Sequence, residues 1–297
     1  MISNEDIIKL QLVKGMGRKT LSKILNYIDI KDIELNNFFE IIKYIEKLGV
    51  KNTKMDLEKI EEEAEVIINL CRKHKIKIIS IFDEEYPDKL RIIEDKPIIL
   101  YVDGNEKLLK HSNSIAIVGT RKPSEKGYEI SSIFAERLAE EHCCVVSGFA
   151  SGCDEAAHKG CLAAKGATIA VIPSGHRTIP KGNNLMYNMI LINGGAVISE
   201  LPPNAKPEKH TFIDRNRIIA ALSDGVIVIE GGKGGGTSHT VKFAINYDKP
   251  VAYTTNIPAI YDVEKNLIEN EIVIIDNFEK LVNFKNKSFE KVLDKAL

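Results

Sequence analysis

The chain is 297 residues long, 44% hydrophobic and 28% charged, with a formal net charge of −1. Such a length accommodates one large domain with one or two small ones, and the composition is close to that of an ordinary soluble protein. The near-zero charge excludes a global pull toward nucleic acid or an anionic membrane, so any nucleic-acid site is a local patch. No signal-peptide layout stands at Met1 and no apolar run is long enough to span a bilayer, while five cysteines without a regular framework point to reduced thiols in the cytosol.

Residues 1–65 read as a separate, all-helical domain. The run IIKLQLVKGMGRKTLSKILNYI places apolar residues at helical spacing, broken at Gly15-Met16-Gly17. Glycines between two short amphipathic helices resemble the helix-hairpin-helix turn, whose backbone N–H groups can meet phosphate. Arg18 and Lys19 either add charge to such a contact or are solvated beside a turn that needs Gly for its geometry. The stretch through EKIEEEAEVIINLCRKHKI reads as a charge-laced helix whose acidic run is a solvated face. Residues 66–113 form a bridge: IKIISIFD is an expected strand, and a second follows in a segment punctuated by Pro87 and Pro97. This bridge is expected to pack on the edge of the main domain.

From Ser114 to Thr255 six apolar runs recur, each ending in a small or polar loop and most followed by a helical pattern. That is the rhythm of a parallel sheet with crossover helices. In open α/β sheets ligands bind at the carboxyl ends of the strands, so these loops should converge on one site. After SIAIVG, Gly119 permits a tight turn, Thr120 offers a hydroxyl and Arg121 a guanidinium suited to bidentate phosphate contact. The next glycine is Gly127, so the spacing is not GxGxxG and a nicotinamide dinucleotide is not expected. After CCVVSG, small residues at Ser147, Gly148, Ser151 and Gly152 would let a ligand backbone approach. Asp154 caps the following helix, and His158 reads as a packing residue. Cys153 and His158 are poorly placed for a nucleophile pair. The cysteines also lack a metal-site spacing.

The third run ends in RTIPKGNNLMYNMILING, where Arg177 and Lys181 can supply phosphate contacts and Asn184 stands at the start of a helix. Leu185, Met186, Met189 and Ile190 read as its core face. Between Arg177 and Arg217, six Lys/Arg face three Asp/Glu, a local excess of positive charge. In FIDRNR, one of Arg215 and Arg217 is expected to form a salt bridge to Glu200 or Glu230 and the other to contact ligand. After GVIVIEGG, the loop GGKGGGTSHT opens a helix, and its Gly234, Gly235, Gly236 and Thr237 make a candidate phosphate cradle. It is not a Walker loop, because Gly236 rather than Lys precedes Thr237. A sixth strand, a seventh in NEIVIID, and one or two helices complete the chain.

In this order, YPDKLRIIEDKPIILYVDG, IAIVGTRKPSEKG, VVSGFASGCDEAAHKG, TIAVIPSG, SELPP and FIDRNRIIAALSDGVIVIE resemble the DNA-processing protein A family, also called Smf. The resemblance runs from Tyr86 to Glu230. It implies an α/β fold: an extended Rossmann-like domain over residues 66–297, with its core at 114–255, a mostly parallel sheet and helices on both faces. The small N-terminal helical domain precedes it, and no C-terminal winged helix follows. It implies a cytoplasmic, non-enzymatic homodimer that binds single-stranded DNA and loads the recombinase RecA, displacing or cooperating with single-strand-binding protein. No catalytic residue, cofactor, metal or membrane is implied. The family's arginine after the first core strand falls on Arg121, its small-residue loop on Ser147 to Asp154, and its RNR on Arg215 to Arg217. Its phosphate-binding lysines fall near Lys181 and in the Lys206–Lys209 loop, which brings in Lys209. The chain departs from the family at KGGGTSHTVKFA and at TTNIPAIYDVEKNLIENE.

A reading of another class stands beside this one. GGKGGGT is also similar to the GGxGT loop of nucleoside-monophosphate phosphoribohydrolases and of nucleotide-sensing Rossmann proteins. Those enzymes carry a catalytic Glu three positions after the Thr, where this chain has Thr240. Hydrolysis is thereby disfavoured, and nucleotide sensing without hydrolysis stays open.

Overall fold

The computed structural model describes residues 2–30, 37–47, 56–231, 235–254 and 272–296. Four helices come first: α1 (Asn4–Leu12), α2 (Arg18–Ile30), α3 (Phe38–Lys47) and α4 (Leu57–His74). Ser3 and Asp6 close a reciprocal capping box at the start of α1, which satisfies two otherwise orphaned donors. Gly15, at φ 85°, turns the chain between α1 and α2. The division expected at residue 65 falls inside α4, which runs unbroken to His74.

The described strands form one nine-stranded sheet. They are β1 (Lys77–Ser80), β2 (Ile99–Gly104), β3 (Ser114–Val118), β4 (Cys144–Ser147), β5 (Thr168–Val171), β6 (Ala196–Ser199), β7 (Gly225–Val228), β8 (Val251–Thr254) and β9 (Ile272–Ile275). Their order is β1-β2-β6-β5-β4-β3-β7-β8-β9. Strands β3 to β9 run parallel, and the bridge adds β2 and then β1 antiparallel beside β6. Short helix α5 (Asp88–Arg91) lies between β1 and β2. The crossovers are α6 (Glu125–Glu140), α7 (Cys153–Ala163), α8 (Asn184–Ile192), α9 (Lys209–Leu222) and α10 (Gly236–Asn246), and α11 (Phe278–Ala296) follows β9.

The strands alternate apolar side chains between two covered faces, as a parallel sheet requires. Ala116 and Val118 share a core with α9, α10 and the N-terminal helices. Ile115 and Ile117 point to the other face, against α6, α7 and α11. Chain order reverses at β3: β4, β5 and β6 are laid down to one side, β7, β8 and β9 to the other. The carboxyl ends of β3 and β7 therefore border the crevice that a doubly wound sheet leaves open.

The bridge is pinned at the opposite end of the strands. Lys89 Nζ donates to Ser114 Oγ at 2.8 Å, to Asp224 at 2.9 Å and to the His111 carbonyl at 3.1 Å. The fully buried Tyr86 donates its hydroxyl to the Pro97 carbonyl at 2.5 Å. All five cysteines are free and buried.

Candidate functional site

The loop after β3 is stitched to its neighbours by backbone hydrogen bonds. Thr120 N–H donates to the Glu230 carbonyl at 2.6 Å, and Cys153 N–H donates to the Thr120 carbonyl at 3.2 Å. Gly119 has no room for a side chain: an added Cβ would sit 2.6 Å from Cys153 Cβ and 2.9 Å from the Glu230 oxygen. The Glu230 carboxylate accepts from Ser124 N–H and Oγ and so holds the start of α6. Glu230 is thus engaged at that helix and forms no bridge to the RNR arginines. Arg121 is exposed, with its guanidinium carbon 5.0 Å from the Phe212 ring centre in cation–π geometry. Among the described residues no carboxylate pairs with it.

The loop after β4 turns through Phe149 at φ 59° and Gly152 at φ 84°. Ser147 is buried and donates to the Ile117 carbonyl at 2.6 Å, whereas Ser151 is exposed. Gly148 lies under Arg215 and Asp154, and a Cβ there would stand 2.7 Å from each. Asp154 is enclosed. Burial raises its carboxyl pKa, while Arg215 and the Ala150 N–H, which donates at 3.3 Å, favour the carboxylate.

The two RNR arginines have different settings. Arg215 donates to the Gly148 carbonyl, to the Val171 carbonyl at 2.5 Å and to Asn216 Oδ1 at 3.0 Å. It ties the ends of β4 and β5 together while still lining the crevice. Burial pushes its pKa down to about 10, with Asp154 opposing and Arg121 adding to the shift. Arg217 is fully buried, 2.6 Å from Glu200 and 3.6 Å from Asp95, and does not line the crevice. Helix α9 starts at Lys209, so both arginines lie well inside it.

Across from Arg121 stands the N-terminus of α10. Gly235 caps it without any side-chain hydrogen bond, which leaves the first amides of the helix without a side-chain partner among the described residues. Gly235, Gly236 and Thr237 line the crevice, and Gly234 lies outside the described residues. The crevice has a volume of about 470 Å³. It brings together Gly119, Thr120, Arg121, Arg215, Gly235, Gly236 and Thr237 from the expected set. It also takes in Lys122, Asp154, Phe212, Asn216 and Thr240, which the sequence reading did not choose. Thr240 carried a usable signal, since it lies one helical turn beyond Thr237 on the same face.

The remaining expected residues sit apart. Asn184 is exposed at the start of α8, and Lys209 is exposed as the first residue of α9. Lys181 opens a single 3₁₀ turn just before α8. The proline-rich loop near them is held by the backbone: Gly175 N–H donates to the Ala205 carbonyl and Arg177 N–H to the Pro203 carbonyl, both at 2.8 Å. Neither Asn184 nor Lys209 lines the crevice. His158 is fully buried, with Nδ1 2.8 Å from Thr168 Oγ1, which itself donates to the Val145 carbonyl. Burial pushes its pKa down to about 3. Among the described residues no cluster of His, Cys, Asp or Glu could hold a metal ion, and no helix is long and apolar enough to cross a membrane.

Known proteins share both sequence and architecture with this chain. The family model for DNA recombination-mediator protein A matches residues 77–286. DNA processing protein DprA of Bacillus subtilis is 34% identical over 198 residues, which is 67% of each chain. The X-ray structure of DprA from Streptococcus pneumoniae superposes with a TM-score of 0.76 at 30% identity, covering 95% of this chain and 97% of that one. DNA processing protein A from Helicobacter pylori, whose structure is described for its single-stranded DNA binding mode, superposes with a TM-score of 0.62 at 27% identity over 72% of this chain and 97% of its own. The ordered motifs, the sheet with its crevice and these matches agree, and the chain belongs to the DNA recombination-mediator protein A family.

Proposed function

We propose that this protein is a non-enzymatic binder of single-stranded DNA. The phosphates would cross the crevice between the β3 and β7 loops, and the protein, acting as a homodimer, would pass the strand to a RecA-type recombinase. One observation carries the DNA reading: exposed Arg121 lies over Phe212 and faces the uncapped N-terminus of α10. A guanidinium and a row of helix amides are complementary to phosphate without reading base identity. The aromatic ring beneath holds the guanidinium in place. Membership of the recombination-mediator family and the single-stranded DNA binding of the Helicobacter pylori protein support the same reading. The exposed Arg177, Lys206 and Lys209 provide a second basic area to which the strand can extend.

Fluorescence anisotropy with matched single and double strands across a salt series tests it. The expected result is a preference for single strands and an affinity that falls steeply with salt. Arg121→Ala should weaken binding by about tenfold, alike across sequences, since a charged hydrogen-bonded contact contributes about 1.5–3 kcal/mol. Equal affinity for single and double strands would remove the DNA reading, and unchanged affinity of the variant would remove Arg121 from the site. Recombinase loading is checked separately, by whether the protein speeds RecA filament formation on a strand coated with single-strand-binding protein.

A further inference from the structure

At its buried end the crevice carries two hydroxyls that the fold itself does not use. Thr237 is 8% exposed and Thr240 is 2% exposed, and both line the crevice. Neither hydroxyl makes a hydrogen bond within the described residues. Neither oxygen is sealed from solvent, so both hydroxyls open to the crevice, one turn apart on one helix face, where a ligand can reach them. They flank the uncapped N-terminus of α10, whose Gly235 and Gly236 also line the crevice. The charges around them are those of Arg121, Lys122 and Arg215, with Asp154 as the one carboxylate. Asp154 is paired electrostatically with Arg215, which leaves two positive charges over.

We propose that this end of the crevice is a phosphomonoester pocket that takes the phosphate of a nucleoside 5′-monophosphate group. The proposal deepens the DNA-binding reading and rests on the same crevice. An internal phosphodiester has two free oxygens and two ester links that must both lead back out past Arg121. A terminal phosphate has three free oxygens and one link. A terminal phosphate can bring three oxygens to the hydroxyls of Thr237 and Thr240 while its single substituent leaves through the open side. Its double negative charge matches the residual charge of the lining. Such a group has two sources, the 5′ end of a DNA strand or a free mononucleotide.

The test uses the full-length protein and three probes: an oligothymidylate with a 5′-phosphate, the same strand with a 5′-hydroxyl, and free AMP. Anisotropy reads the strands and calorimetry reads AMP. The 5′-phosphorylated strand should bind about tenfold more tightly than the hydroxyl strand, the difference given by one or two charge-assisted hydrogen bonds. Thr240→Val and Thr237→Val should each bring that ratio toward one, with an unchanged thermal midpoint reporting that the variant is folded. A strand preference with no AMP binding assigns the pocket to strand ends, and AMP binding without a strand preference assigns it to free nucleotides. Both results support the pocket. Equal affinity for the two strands together with no AMP binding overturns it, and so does a ratio that survives both valine substitutions. In the overturned case, binding of the hydroxyl strand leaves the DNA-binding reading standing. AMP binding with no affinity for either strand does the reverse.

Discussion

At the scale of single residues, the chemistry next to the crevice is set by which groups the fold has already spent. Thr168 Oγ1 donates to Val145, so His158 Nδ1 must carry the hydrogen that Thr168 accepts, and Nε2 stays bare and without a partner. The ring is therefore a neutral packing group beside Phe149, with 6.3 Å between ring centres. Its folded-state pKa of about 3 lies below the ordinary 6.5, so between those values the unfolded chain binds a proton that the folded chain does not. Stability should fall as pH is lowered through that window, by up to about 1.4 kcal/mol per pH unit for this group. Burial also lowers the pKa of His176 and adds to the slope, whereas the raised pKa of Asp154 works in the opposite sense. The informative quantity is thus a difference. Urea midpoints measured between about pH 7 and 4 should fall less steeply for His158→Gln than for the unaltered protein. The same residue scale shows a limit of the sequence. Arg–Asn–Arg announced one structural and one crevice-facing arginine, but choosing between them needed the positions of Glu200, Gly148 and Val171, all remote in the chain.

At the scale of elements, α8 shows where periodicity misleads. Its sequence NLMYNMILI is apolar around nearly its whole circumference, so the pattern cannot select a buried face. The expected core positions Leu185 and Met189 turn out to be 73% and 36% exposed, and Ile192 is 84% exposed. Ile190 alone of the helix is fully buried, and it packs with Phe149, Leu162, Ala170, Ile172 and Val197. Ile190→Ala should cost about 2–5 kcal/mol in chemical denaturation, whereas Ile192→Ser should stay within about 0.5 kcal/mol. The start of helix α9 depends on contacts remote in the chain. The carbonyls of Pro203 and Ala205 in the loop before it accept from the N–H groups of Arg177 and Gly175 in the turn after β5, and the helix begins soon after, at Lys209. Such long-range backbone pairing leaves no mark on local composition. By contrast, the strand-end motifs of β3, β4 and β7 were legible because small residues and glycines at a strand's carboxyl end have few structural uses other than close approach.

At the scale of the whole molecule, the strand order with its reversal at β3 had no counterpart in the sequence pattern, whereas the parallel core followed from the alternation of apolar runs and helical patterns. The antiparallel attachment of the bridge to β6 did not, because no local pattern names the strand that a two-stranded ribbon will join. That attachment is secured through Arg217. Its guanidinium reaches Glu200 at the end of β6 and Asp95 in the bridge, and Asp95 in turn accepts from the Tyr247 hydroxyl at 2.6 Å near the end of α10. A fully buried cation between two carboxylates holds three separate segments, and removing it leaves negative charge without its counter-ion. Arg217→Ala should therefore lower the unfolding free energy by about 3–5 kcal/mol, measured by urea titration. Because one continuous core joins the N-terminal helices to the same face of the sheet, that loss should appear as a shift of a single transition rather than as the separate melting of one part.

The buried sulfur atoms have a practical consequence. Burial pushes the thiols of Cys71, Cys153 and Cys161 up to about 12, and those of Cys143 and Cys144 upward as well. Closed to solvent and protonated, they are poor nucleophiles, so an alkylating reagent can reach them only when the surrounding structure opens. Their positions divide the molecule: Cys71 in the N-terminal helical layer, Cys143 and Cys144 at the foot of β4, Cys153 behind Gly119 at the crevice. The protein thus carries its own set of stopwatches, one per region, and the labelling time of Cys153 with and without a bound strand would time the breathing of the crevice without any introduced probe.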